Sequence, residues 1–119
     1  MISQHRRRSR RDLGHTELME MFRWRRWWSA RGLPELRVLA IEHWDPLNYY
    51  DDASHADAYD AYLDRVGRML RRGKGAAEIA AYLGKVRTLA LRRDENEPVD
   101  EEFADRVVAW YSLEAPARN

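Results

Sequence analysis

Between residues 59 and 70 the apolar side chains Tyr59, Tyr62, Leu63, Val66, Met69 and Leu70 recur at steps of three and four. That spacing gathers them on one face of an α-helix and does not suit a strand, whose faces alternate every two residues. The charged residues agree with it. Asp57, Asp60 and Asp64 stand near the start of the segment, and Arg65, Arg68, Arg71 and Arg72 gather at its end, an order that opposes the helix dipole at both ends. A helix from about Ser54 to Arg72 is predicted, with Gly73-Lys74-Gly75 as its stop. Such an apolar face must be covered by other elements, so this segment constrains the fold more than any other.

The same period returns elsewhere. Leu36, Leu39, Ala40 and His43 share a stripe, with Val38 and Ile41 beside it, and predict a helix from about Pro34 to Trp44. Pro46 ends it by disfavouring the helical conformation at Asp45. Asp45-Pro46-Leu47-Asn48 then reads as a turn, with Asn48 able to take positive φ. Ile79, Tyr82, Leu83, Val86, Leu89 and Ala90 predict the inward face of a helix from about Ala76 to Arg93. After the acidic break at Asp94 to Glu97, Pro98 opens a last helix carrying Phe103, Val107, Trp110 and Tyr111, with Asp100, Glu101 and Glu102 in its first turn. No convincing period-2 strand is present. The expected fold is therefore all-α: a compact bundle or orthogonal array of four to five helices occupying residues 33–114, with a basic N-terminal arm before it and a loose end at 115–119.

The arm is the second distinctive region. Residues 1–31 hold nine arginines against Asp12, Glu17 and Glu20, a balance of +6, whereas the remainder of the chain carries −5. Residues 1–15 have almost nothing to bury and read as a flexible tail. Residues 16–32 read as an Arg/Trp-rich amphipathic helix, capped by Thr16 and stopped by Gly32, with Leu18, Met21, Phe22 and Trp28 near one face. Arg23, Trp24, Arg25, Arg26, Trp27 and Trp28 form a string that suits several surfaces. Trp and Arg dominate protein hot spots; arginine neutralises nucleic-acid phosphates while aromatics stack on bases; both residues favour an anionic membrane surface. The string also suits docking on its own acidic domain. The arginines at the start resemble a twin-arginine export signal, but Thr16-Glu17-Leu18-Met19-Glu20 follows where such a signal needs an apolar run, so export is not expected.

Composition narrows the remaining classes. The chain of 119 residues fits one domain. It has no cysteine, which removes disulfides, thiolate metal sites and cysteine nucleophiles and fits a cytoplasmic location. With 45% hydrophobic and 34% charged residues it is too apolar for wholesale disorder and too charged for a transmembrane segment.

From Glu42 to Asp64 there are seven carboxylates and no Lys or Arg. Trp44, Asp45, Tyr49, Tyr50, Asp51 and Asp52 lie within this stretch, and they form the expected protein-contact surface, an aromatic patch rimmed by acids. The competing chemistry is a divalent metal held by His43, Asp45, Asp52 and His55, although their spacing matches no standard metal loop. Tyr59 and Tyr62 are expected in the core. Catalytic templates fail: Ser54-His55 adjacency is not triad geometry, and Gly73-Lys74-Gly75 is too short for a phosphate loop. No enzyme activity and no cofactor are expected.

Taken as a set, Leu39 to Glu42, Trp44-Asp45-Pro46-Leu47, Asp57-Ala58-Tyr59-Asp60-Ala61-Tyr62, Leu70-Arg71-Arg72-Gly73 and Ala77 to Leu83 carry a likeness. Over residues 36–90 the chain resembles small bacterial helical proteins of unknown function, with a Trp-Asp-Pro turn followed by a Tyr-Asp-x-Tyr helix. Asn48 stands where that group tends to have glycine, a swap that a turn of positive φ tolerates. The resemblance implies an all-helical fold and, by analogy only, a toxin-neutralising or regulatory partner. The functional expectation is thus a non-enzymatic protein-binding or regulatory module, with self-association among its options. Nucleic-acid or anionic-membrane binding through the arm is the alternative.

Overall fold

The computed structural model describes the backbone of residues 2–117 and the side chains of residues 14–117. Among the described residues five α-helices follow in order: α1 (Ile2–Trp27), α2 (Leu33–His43), α3 (Asp60–Arg71), α4 (Ala76–Lys85) and α5 (Glu97–Glu114). Single π-helical turns at Trp28–Gly32 and Val86–Ala90 extend α1 and α4, and a 3-10 turn covers Ala53–His55. Among the described residues there is no strand. The architecture is the all-α bundle that the apolar periodicity predicts.

Its core joins Leu36 and Ala40 of α2 to Tyr59, Leu63, Val66 and Leu70 at and along α3. Ile79, Leu83 and Val86 add the α4 side, and Phe103, Ala104 and Val107 the α5 side. These residues recur at helical spacing in each element, which is why each helix buries one stripe. The α4–α5 pair packs most extensively, and α2 lies against both α3 and α5. Gly73 ends α3 at φ 84°, and Asn48 sits at φ 57°, the left-handed geometries expected at the stop and the turn.

Three expectations change. The first concerns the arm. The backbone is helical from Ile2, so Thr16 is interior and caps nothing, and the residues expected as a tail belong, from Ile2 on, to α1. Whether side chains 1–13 are flexible lies outside the described residues. Nor does Gly32 stop the helix: a π turn carries the chain through it into α2, with the Leu33 N–H donating to Trp28 O. Pro34 sits in the first turn of α2 and has no N–H for an α-type bond to the previous turn. A wider turn is a usual way for a helix to pass such a residue.

The second concerns which stripe faces in. Trp24, Trp27 and Trp28 of the arm pack on the core, whereas Leu18 and Phe22 are exposed. Likewise Leu89 and Ala90 point outward, because the π turn at Val86–Ala90 displaces the pattern and turns Arg87 inward instead. The third is local. The helix expected from Ser54 begins at Asp60, after a 3-10 turn and further turns held by bonds such as Ala58 N to His55 O, 3.0 Å.

Candidate functional site

The Trp44–Asp52 turn is built around one carboxylate. Asp45, at φ 34°, accepts from the Tyr49 N–H (2.8 Å), the Tyr50 N–H (2.9 Å) and the Tyr59 hydroxyl (2.7 Å). The Tyr59 oxygen in turn accepts from the Leu47 N–H (2.9 Å), so a side chain at the head of α3 clasps both limbs of the turn. Burial, and next the bond to Asp45, push the Tyr59 hydroxyl well above the ordinary tyrosine range. Asp45 is therefore a structural clasp.

Trp44 is likewise a core residue. It is 5% exposed, stacks on Phe103 at 5.7 Å and meets Tyr59 edge-on. Its indole N–H donates to Asp100 Oδ1 (2.8 Å), and the same oxygen accepts from Arg87 Nε (3.0 Å). Sequence reasoning placed Asp100 as a helix-start acid and missed Arg87. The available signal was spacing: Asp100 shares a stripe with Phe103, Ala104 and Val107, and Arg87 follows Leu83 and Val86. An ion pair at 7% and 3% side-chain exposure is a structural commitment, because either charge alone would be stranded in the core.

Of the six residues expected as a contact surface, this leaves four. Tyr49 is half-buried and stacks on His55 at 4.2 Å. Asp51 and Asp52 are exposed. Tyr50 is 67% exposed beside a concavity of about 820 Å³ that also touches Val38, Ile41, Glu42 and Ala56. The acidic stretch is partly neutralised from outside it. Arg37 of α2 grips Asp60 with two bonds, at 2.8 and 2.6 Å, and Asp60 strengthens the hold of the guanidinium on its proton.

His43, Asp45, Asp52 and His55 do not converge. Asp45 is spent on the turn, and His43 lies against Glu42. Among the described residues no group of three or more His, Asp or Glu side chains is placed to hold a metal ion. Asp52, Ser54 and His55 do meet, but Ser54 Oγ and Asp52 Oδ2 both contact the same ring nitrogen, His55 Nδ1. A relay needs the hydroxyl and the carboxylate on opposite nitrogens. The hydrogen bonds from Ser54 and then His55 lower the Asp52 carboxyl below its ordinary range, as in a helix cap, and Asp52 does accept from the Ser54 N–H.

The Arg/Trp arm docks on its own domain. Trp28 is 8% exposed and donates to Asp64 Oδ1 of α3 (2.8 Å). Trp24 stacks on Trp28 at 5.3 Å and donates to the Tyr111 hydroxyl of α5 (2.8 Å). Trp27 lies among Trp110 and Tyr111. Two glycines make the fit possible. A Cβ on Gly67 would stand 2.6 Å from Trp28 Cη2, and one on Gly32 would stand 2.7 Å from Trp28 Cε3. Arg23 donates to the Ala117 carbonyl, and Arg25 and Arg26 are exposed.

Beside the docked indoles, Arg25 of α1 and Arg68, Arg71 and Arg72 of α3 and its end line one concavity of about 530 Å³. Arg71 lies over the Trp24 ring at 5.4 Å. Docking of α1 adds Arg25 to the arginines gathered at the end of α3, a convergence that reading the arm and α3 separately did not anticipate.

No family model, no curated protein and no solved structure matches this chain.

Proposed function

We propose that the chain is a non-enzymatic protein-binding or regulatory module whose contact face is the Tyr50 side of the turn. The observation that carries this reading is a pair of exposed apolar side chains on a rigid mount. Tyr50 at 67% and Val38 at 55% exposure flank the same concavity. The turn beneath them is fixed by Asp45 and Tyr59, so little ordering is required on binding. Large exposed aromatics next to a concave apolar surface are the kind of anchor that interfaces use. Glu42 in its lining, and the exposed Asp51 that follows Tyr50 in the chain, favour a partner with a basic border. The surface expected from the sequence thereby moves: Tyr50 remains, Val38 and Ile41 join it, and Trp44 and Asp45 become its support.

The test is site-specific photocrosslinking in cells, with benzoylphenylalanine at position 50 and, as control, at Leu113, which is 83% exposed away from the turn. A discrete protein adduct from position 50 alone, lost on Val38→Asp, is the expected result. Equal adducts from both positions, or none from position 50, would remove the turn as the contact face.

A further inference from the structure

We infer that the arginine-lined concavity between α1 and α3 is a binding site for the phosphate backbone of single-stranded nucleic acid. The inference stands apart from the Tyr50 face, with which it shares no residue. Four guanidinium groups from two separate helices surround one depression, with Trp24 and Trp28 as its wall. Arg25, Arg68 and Arg72 are exposed. Among the described residues the one carboxylate lining it is Asp64, whose Oδ1 is engaged by the Trp28 N–H. The exposed Arg25, Arg68 and Arg72 are like charges from different elements that repel one another, and a bound anion relieves that cost.

Phosphate matches the planar donor fork of arginine, which can grip two oxygens at once. A chain of phosphates fits better than an isolated one. The depression, of about 530 Å³, is several times the size of one phosphate group, and its exposed arginines come from two helices, Arg25 on α1 and Arg68 and Arg72 at the end of α3. A membrane fits less well at this place, because Trp24 and Trp28 are stacked on each other and hydrogen-bonded inward, and their rings are not available to enter a headgroup layer.

The experiment measures fluorescence anisotropy of a labelled, short, mixed-sequence single strand titrated with the full chain at low salt. Binding should weaken steeply as salt rises. Arg68→Ser with Arg72→Ser should reduce affinity at least tenfold and flatten the slope of log affinity against log salt by roughly 1.4, about 0.7 for each lost phosphate contact. Arg25→Ser, on the other helix, should flatten it by about half as much. Lys74→Ser with Arg93→Ser removes the same charge from other exposed positions and should leave affinity within about twofold. Circular dichroism checks that each variant keeps its helices. Equal loss from both double variants would show diffuse charge and overturn the site. So would absence of binding at low salt, or binding confined to phosphatidylserine vesicles.

Discussion

Trp44 and Trp28 make the same bond in different surroundings. Each indole donates to an aspartate at 2.8 Å, Trp44 to Asp100 and Trp28 to Asp64. Asp100 is 2% exposed and also neutralises Arg87, whose Nη2 is buried without a hydrogen-bond partner. Asp64 lies at the edge of a concavity, where water can reach it. The inner seam thus holds a charge that has no alternative partner, whereas the outer seam holds one that solvent can serve. Identical geometry carries very different consequences when only one of the two sites is dry.

The largest effect should come from Asp100→Ala, which strands the Arg87 charge and the Trp44 N–H; a loss of about 3–5 kcal/mol is expected in urea denaturation. If Asp64→Ala were equally costly, the contrast between the seams would fail. Next is Gly67→Ala. The added methyl collides with the Trp28 ring, and overpacking of this kind costs about 1–3 kcal/mol. Near-UV dichroism should report the undocked arm while far-UV dichroism keeps the helices.

The inner seam should also loosen at alkaline pH. Burial raises the hydroxyl pKa of Tyr59, which packs on Trp44, and that of Tyr82 as well. A group whose folded pKa is raised contributes stability that is intact below its unfolded value, about 10, and is lost as pH rises beyond it. The urea midpoint should hold up to that point and then fall, by as much as ~1.4 kcal/mol per pH unit for one tyrosine. Tyr59→Phe should lower stability at neutral pH and flatten this alkaline decline. The smallest effect belongs to Asp64→Ala at the outer seam, where the lost bond from the Trp28 N–H is worth about 0.5–1.5 kcal/mol.

Much of the fold was readable because the stripe of α3 is amphipathic in a way that only one helical face satisfies. Leu63, Val66 and Leu70 are buried as their spacing requires, as are Phe103 and Val107. The arm was harder to read for a physical reason. Leu18, Phe22 and the tryptophans are all apolar, and period alone does not say which of two apolar stripes meets a partner. That choice was made by Gly67 and Gly32, whose missing side chains leave room for an indole. Trp44 and Asp45 were recognised as a special pair but placed on the surface. A turn rich in acids and aromatics looks alike from sequence whether its carboxylate faces water or closes on its own backbone.

The π turn at Trp28–Gly32 makes the molecule sensitive to chain length at one place. Each residue of an α-helix rotates the axis by about 100°, so the extra residue held in that turn sets the azimuth of everything before it relative to α2. Substituting Ser29 or Ala30, both exposed, should matter little. Deleting either one would swing Trp24 off Tyr111 and carry Arg25 away from Arg68, dispersing a seam and a basic concavity through the loss of a residue that touches neither. In this segment an indel is the severe change and a substitution the mild one.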